Sequence, residues 1–137
     1  MSWVVDTCLL IDVLEDDPDF GESSAALLDS LIDDGLVICP VSYVELAPAF
    51  LGDRRRQDEF LSVIGIDFSQ DWTLPDTQCA HSAWDRQIAL KRRGQGRKRP
   101  IADILIGAYA SVRTGLLTRN SCDFTSVFTT LRIKEPN

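Results

Sequence analysis

One carboxylate stands alone in the most apolar part of this chain. Asp103 lies in the stretch IADILIGAYA, and on a helix it shares its face with Ile106, Gly107 and Ala110, none of which is polar. An ionised aspartate on a buried face is costly unless a partner compensates its charge. Two interpretations are open: Asp103 lies in the first turn of a helix that begins at Pro100, where the helix dipole favours a negative charge, or it belongs to a chemical site.

Three further acids lie close to the ends of expected strands. Asp6 follows the apolar run WVV, Glu45 lies in the first turn of a helix expected after LVIC, and Asp123 holds the same relation to LLT. Glu45 and Asp123 can also be interpreted as parts of helix starts, because SYVE is the pattern of a capping box and SCD is typical of a helix N-terminus.

The four acids together suggest a cation site. Carboxylates that converge repel one another, which raises their pKa values unless a cation compensates. Mg²⁺ suits a site made of a few carboxylates together with water and phosphate, so metal-assisted chemistry on a phosphate group is the reaction that this set could support.

Other catalytic sites have less support in the sequence. The four cysteines form no CxxC pair and the chain has one histidine, so we expect neither a zinc site nor a cysteine–histidine nucleophile. A phosphoaspartate phosphatase would need a second aspartate two residues after Asp6, where this chain has Cys8, and a receiver domain would need an adjacent acidic pair.

The elements that must position the acids alternate along the chain. The runs WVV, LVIC, IDF, LLT and LRI predict short strands, and the segments between them have mostly helical spacing. Such an alternation predicts an α/β fold, with three layers α/β/α around a central, mainly parallel sheet. Sites in open sheets of this kind form at the carboxyl ends of the strands, where these acids are expected.

Length and composition are those of one globular domain, which we expect to span residues 1–137. No run approaches the roughly 18 apolar residues that a membrane span needs. The first apolar run lacks a basic leader and is interrupted by Asp6 and Asp12, so we expect a cytoplasmic protein without a signal peptide and without a membrane partner.

Charge is distributed unevenly along the chain. The net charge of -7 argues against a protein that binds nucleic acid over its whole surface. Residues 1–35 contain 10 acidic and no basic residues, whereas half of the 14 basic residues lie within residues 86–99, here called the basic segment. The basic segment is either a phosphate-binding patch or a solvated helix end.

Four pieces of the sequence together resemble a known family. VVDTCLLIDVL, SYVELA, RPIADILIGAYA and LLTRNSCDF occur in this order, and the set is similar to the PIN-domain family, specifically the VapC-like ribonuclease toxins of toxin–antitoxin operons. The resemblance implies a PIN-like fold and a metal-dependent endoribonuclease that hydrolyses RNA phosphodiester bonds with Mg²⁺ or Mn²⁺. The alternative is a PIN-like fold kept as a non-catalytic interaction module, and the presence of all four acids argues against it.

The resemblance also implies roles for individual residues. The family's acidic quartet falls on Asp6, Glu45, Asp103 and Asp123. We expect Asp6 and Asp103 to be direct metal ligands, and the other two acids to bind a second ion or to orient the attacking water. Thr7 and Thr118 match hydroxyl positions beside the metal, and Asn120 matches their polar neighbour.

The sequence differs from the family pattern at Cys8, and the resemblance also implies several binding partners. Cys8 stands where relatives often have Asn or Ser, which puts a hydrogen bond around the metal site in question. The implied partners are an RNA substrate, a cognate antitoxin protein and a second copy of the chain in a homodimer. Contacts to the RNA backbone are expected from the basic segment, through Lys91, Arg92, Arg93, Arg97, Lys98 and Arg99.

Overall fold

The computed structural model describes residues 2–94 and 101–137 of the chain. Five strands lie in these residues: β1 (Trp3–Val5), β2 (Leu36–Val37), β3 (Ile66–Asp67), β4 (Gly115–Leu117) and β5 (Ile133–Lys134). Seven α-helices connect and flank them: α1 (Thr7–Leu14), α2 (Gly21–Ser30), α3 (Pro40–Glu45), α4 (Arg54–Val63), α5 (Leu74–Arg92), α6 (Ile101–Ser111) and α7 (Cys122–Thr125). Short 3₁₀ helices span Ile32–Asp34 and Ala47–Phe50.

The strands form one sheet in the order β3-β2-β1-β4-β5, and every neighbouring pair is parallel. β1 lies at the centre, where Val4 pairs with Val37 on one side and with Leu116 on the other. Three residues suffice for this strand because it is buried on both faces by apolar side chains. The expected mainly parallel sheet is confirmed.

The two faces of the sheet pack against different helices. Val4 and Leu116 face a core formed with α5, α6 and α7. The alternate residues Val5 and Leu117 face a second core, which contains apolar side chains of α1, α2 and α4. This alternation follows from the period of two along a strand, and it produces the three layers α/β/α that the sequence predicts.

The helix that carries Asp103 has the buried face that its composition indicates. Ile106, Gly107 and Ala110 are buried, and a Cβ atom at Gly107 would overlap the ring of Phe128. The absence of a side chain at this position therefore lets α7 and the loop after it pack closely on α6. Asp103 itself is half-buried in the first turn of α6.

The position of Glu45 differs from the expectation. α3 begins at Pro40 and ends at Glu45, so Glu45 is the last residue of the helix, and the prediction that it lies in the first turn is wrong. The predicted capping box from Ser42 to Glu45 is also wrong, because Ser42 lies inside the helix and the N-cap residue is Cys39. Proline fits the first helical position well, which starts the helix before the SYVE pattern.

Within residues 2–94 and 101–137, no helix combines the length and the apolar character that crossing a membrane requires.

Candidate active site

The order of the strands reverses between β1 and β4. The chain moves outward from β1 to β2 and β3, and then crosses to the other side of β1 to form β4. Sites of open α/β sheets form outside the carboxyl ends of the strands at such a reversal. Asp6 directly follows β1 and Thr118 directly follows β4, so both residues lie at this reversal.

Asp6 is a buried carboxylate with only 8% of its surface exposed. Its Oδ1 accepts a hydrogen bond from the backbone N–H of Thr7 at 2.8 Å, and its Oδ2 accepts one from the hydroxyl of Thr118 at 2.8 Å. Burial raises the pKa of Asp6, and these hydrogen bonds oppose that rise. The charge of Glu45 raises the pKa further, but burial is the larger cause.

Thr7 joins Asp6 to the second acid of the expected quartet. Thr7 is the first residue of α1, and its hydroxyl donates a hydrogen bond of 2.7 Å to Oε1 of Glu45 at the end of α3. Glu45 is exposed, unlike Asp6, because the end of the six-residue helix α3 reaches the surface. Thr7 therefore contacts both acids, the first through its backbone and the second through its side chain.

The turn after β4 supplies a second set of polar contacts. The hydroxyl of Thr118 accepts a hydrogen bond from the backbone N–H of Asn120 at 3.0 Å while it donates to Asp6. The carbonyl of Asn120 in turn accepts the N–H of Asp123 at 2.9 Å. Asp123 is half-buried in the first turn of α7, as the SCD pattern predicts. A single run of chain thus connects Thr118, Asn120 and Asp123.

Cys8, which departs from the pattern that the resemblance implies, makes polar contacts beside Asp6. Its thiol donates a weak hydrogen bond to Oδ2 of Asp6 at 3.5 Å and lies 3.7 Å from the hydroxyl of Thr118. Burial, followed by the charge of Asp6, raises the pKa of Cys8 to about 11, so the group is a neutral thiol near pH 7. The side chain therefore acts here as a polar neighbour of Asp6.

Asp103 reaches the same edge of the sheet by a different route. α6 is followed after a short turn by β4, so the helix runs back across the sheet and its first turn lies at the carboxyl edge. Asp103 occupies the third position of α6 and Asp123 the second position of α7, and these two helices pack together. Topology therefore brings all four acids to one edge.

The acids do not form a closed cage. Within the described parts of the chain, no group of three or more His, Cys, Asp or Glu side chains is arranged to hold a metal ion. Hydrogen bonds join Asp6 to Thr7, Cys8 and Thr118, and Thr7 to Glu45, while Asn120 connects Thr118 with Asp123.

The donors of the site are nonetheless suited to a hard cation. Carboxylate and hydroxyl oxygens predominate, and Mg²⁺ commonly binds through one or two carboxylates while it keeps several waters. Asp6 supplies one buried carboxylate, and Asp103, Glu45 and Asp123 are the further acids at the same edge of the sheet. The chemistry of the donor set thus fits Mg²⁺ or Mn²⁺ bound through few protein ligands.

The basic segment is described in part. Lys91 and Arg92 end α5 and Arg93 caps it, and all three are exposed. Arg97, Lys98 and Arg99 lie outside the described residues. Cations in the last turn of a helix also complement its dipole. The position of these residues is therefore compatible with a phosphate-binding patch and with a solvated helix end.

Two ion pairs were not anticipated from the sequence. Arg119 pairs with Asp12 at 2.8 Å and Arg113 pairs with Asp76 at 2.8 Å, and both aspartates are buried. The sequence indicated one member of one pair, because Asp12 is a single acid in the apolar stretch TCLLIDVL, as Asp103 is in its own helix. Its partner is distant in the sequence and follows no periodic pattern.

Comparison with known proteins supports the fold. The chain is similar to a chain of the structure described as "Crystal structure of VapBC2 from Rickettsia felis bound to a DNA fragment from their promoter", with a TM-score of 0.72, 15% identity and complete coverage of both chains. No protein-family model matches the sequence, and no curated protein matches it. The expected PIN-like fold is confirmed; at this identity the likeness concerns the fold alone.

Proposed function

We propose that this chain is a VapC-like toxin that hydrolyses RNA phosphodiester bonds with Mg²⁺ or Mn²⁺ bound at Asp6. Its fold is that of a chain from a VapBC2 structure, and its polar residues gather at the reversal of the sheet, where α/β proteins place their sites. The assignment of activity depends on the residues of that site.

One observation supports the proposal above the others. Three aspartates are buried in the described residues, and two of them pair with an arginine. The third, Asp6, has only the neutral donors Thr7, Cys8 and Thr118 within the described chain, and the charge of Glu45 adds repulsion. A buried carboxylate without a cation is unfavourable, so an external cation is the natural partner of Asp6.

The residues of the site divide the work. A bound Mg²⁺ or Mn²⁺ supplies a Lewis acid for the phosphate and lowers the pKa of a bound water. Asp6 and Asp103 hold the cation, and Thr118 fixes the carboxylate of Asp6 by a hydrogen bond. Glu45 and Asp123 orient the attacking water or bind a second ion. Thr7 fixes Oε1 of Glu45 for this task.

The RNA backbone contacts the basic segment. Lys91 and Arg92 end α5, and this helix packs against α6, which carries Asp103 in its first turn. Lys91, Arg92 and Arg93 are exposed at the end of α5, where their charges can meet phosphate oxygens.

A second protein chain would inhibit such an activity. The VapBC2 structure is that of a two-component complex, and we propose a cognate antitoxin for this chain. Arginine pairs bidentately with carboxylates, so we expect the antitoxin to present an Arg or Lys to the acids at the carboxyl edge.

Cleavage of RNA by the purified chain tests the proposal. We expect cleavage of total RNA in the presence of Mg²⁺ or Mn²⁺, none in EDTA, and a loss of roughly 100-fold or more for Asp6→Asn, because the cation loses its buried carboxylate. Asp67→Asn is the matched control, since Asp67 also ends a parallel strand at the carboxyl edge, two strands away from β1.

Two results would contradict the proposal. Cleavage that persists in EDTA or in Asp6→Asn would assign the activity to another site or to a contaminant. No cleavage by the metal-loaded chain of any RNA from cells that express it would favour the interaction-module alternative. Mapping of the cleaved ends would identify the substrate.

A further inference from the structure

A bidentate ion pair joins the turn after β4 to the middle of α1. Nε of Arg119 lies 2.8 Å from Oδ2 of Asp12, and Nη2 lies 3.2 Å from Oδ1. The side chain of Asp12 is 3% exposed, and Ser24 of α2 donates a further hydrogen bond of 3.2 Å to its Oδ2. The guanidinium also lies over the ring of Phe20, 4.5 Å from its centroid. Contacts with α1 and with the residue before α2 therefore hold Arg119 in place.

The residues on either side of Arg119 are connected to Asp6, Thr118 directly and Asn120 through Thr118. Thr118 donates its hydroxyl to Oδ2 of Asp6, and Asn120 donates its N–H to that hydroxyl. Asp6 caps the start of α1, while Asp12 lies further along the same helix. The turn 118–120 is thus attached to α1 at two points, and attachment at two points fixes its orientation as well as its distance.

We infer that the Asp12–Arg119 ion pair positions Thr118 and Asn120 against Asp6 and thereby sets the affinity of the site for a divalent cation. The metal part of this inference rests on the proposed function, whereas the positioning part does not. Residues that orient metal ligands through hydrogen bonds commonly change metal affinity by about 10- to 100-fold when they are replaced. In this inference, Asp12 and Arg119 are positioning residues that act on Asp6 through Thr118.

The chain offers a matched control for this pair. Arg113 pairs with Asp76 at 2.8 Å, the Asp76 side chain is fully buried, and the guanidinium lies 3.4 Å from the centroid of the Tyr109 ring. Arg113 precedes β4 and Arg119 follows it, so the two arginines stand at opposite ends of the same strand. Replacement of either arginine removes an ion pair to a buried aspartate and a contact with an aromatic ring, and Arg113 also loses its bonds to Gln70 and to the Tyr109 carbonyl. Only Arg119 lies beside the residues that bind Asp6.

The experiment compares Arg119→Gln, Arg119→Lys and Arg113→Gln with the unchanged full-length chain. Hydrogen exchange by NMR in EDTA reports the Asn120 amide, and calorimetric titration with Mn²⁺ reports affinity. We expect Arg119→Gln to speed exchange at Asn120 roughly 10-fold more than Arg113→Gln does, and to weaken Mn²⁺ binding by about 10- to 100-fold. Arg119→Lys keeps the charge with fewer donors and should fall between.

The outcomes separate the two proposals. Equal effects of Arg113→Gln and Arg119→Gln on Asn120 exchange and on Mn²⁺ affinity would overturn the inference, because general destabilisation would then explain both. An unchanged chain that binds no Mn²⁺ would contradict the proposed function, and the exchange of the Asn120 amide would still decide the positioning. If Arg119→Gln does not fold, the same two measurements on Arg119→Lys decide the inference.

Discussion

Asp6 has two roles in the structure. It is the N-cap residue of α1, with its Oδ1 on the N–H of Thr7, and it is also the buried acid at the reversal of the sheet. A helix start that follows a parallel strand places a capping carboxylate at the carboxyl edge, so the two roles coincide. The cost of burying this charge is therefore open to measurement in the metal-free protein.

The first prediction concerns the pH dependence of stability in EDTA. Burial raises the pKa of Asp6 above its ordinary value of 3.8, so the folded state binds this proton more tightly than the unfolded state does. This proton's contribution to the free energy of unfolding is fully present below pH 3.8 and is lost as the pH rises through the raised pKa. Relative to the unchanged chain, Asp6→Asn should therefore gain in free energy of unfolding as the pH rises from about 4 to about 8. Urea denaturation at a series of pH values measures the difference.

Asp67 supplies a control of opposite sign. Hydrogen bonds from the hydroxyl and N–H of Ser69 lower the pKa of Asp67, so its contribution is present above its ordinary pKa and is lost as pH falls through the lowered value. Asp67→Asn should lose stability relative to the unchanged chain as pH rises. The assignment of burial as the dominant cause at Asp6 would be wrong if the two variants shared one trend.

At the scale of elements, the end of α5 and the start of α6 bring opposite charges to one region. The last turn of α5 carries Lys91 and Arg92, and the first turn of α6 carries Asp103. The two helices pack against each other. A polyanion held there would be close to the acids that the proposed function requires.

The second prediction concerns the salt dependence of RNA binding. Replacing Lys91, Arg92 and Arg93 with Gln should weaken the binding of single-stranded RNA and flatten its dependence on salt, by roughly 0.7 in the log–log slope for each phosphate that is no longer bound. Fluorescence anisotropy in EDTA at several salt concentrations measures the slope. Stability should change little, because all three side chains are exposed.

The control removes the same charge from another helix. Arg54, Arg55 and Arg56 are exposed in the first turn of α4, which packs on the opposite face of the sheet from α5. Their replacement with Gln should leave the slope unchanged. Equal slopes for both triple variants would assign the basic segment to the solvated surface. The same test on Arg97, Lys98 and Arg99 extends it to the residues outside the described chain.

At the scale of the whole molecule, a chain that hydrolyses RNA in the cell that makes it needs an inhibitor. Among the described residues, Asp6 and Thr118 follow neighbouring strands at the carboxyl edge of the sheet, and Glu45 is exposed beside them. A nuclease of this kind harms the cell that makes it unless a partner covers that edge. The homodimer implied by the resemblance stays a prediction, which sedimentation would test against the chain mass of 15.3 kDa.

The third prediction follows from this demand. Expression of the chain alone should slow growth, expression of Asp6→Asn should not, and co-expression of the small gene that adjoins its own should restore growth. Replacing the antitoxin's Arg or Lys that faces the acids with Ala should weaken neutralisation. Harmless expression of the unchanged chain, at a level confirmed by immunoblot, would contradict the toxin proposal.

The sequence by itself determined the strands, the parallel sheet and the edge at which the acids lie, because apolar runs and helical periodicity are local and repeat along the chain. It misplaced Glu45 within α3, since the helix start at Pro40 competes with the SYVE pattern. Both signals are local, and only packing against the sheet decides between them.

Only the tertiary structure decided which of the buried aspartates pair with an arginine in the described part of the chain. The ion pair of Asp12 and Arg119 spans 107 residues, and that of Asp76 and Arg113 spans 37. At such separations no helical or strand periodicity predicts the pairing. Asp6, Asp12 and Asp103 look alike in the sequence, as single acids in apolar surroundings. The sheet order brings Arg119 to Asp12 and leaves Asp6 with neutral donors in the described chain, because side-chain reach is short and depends on which strand ends become neighbours.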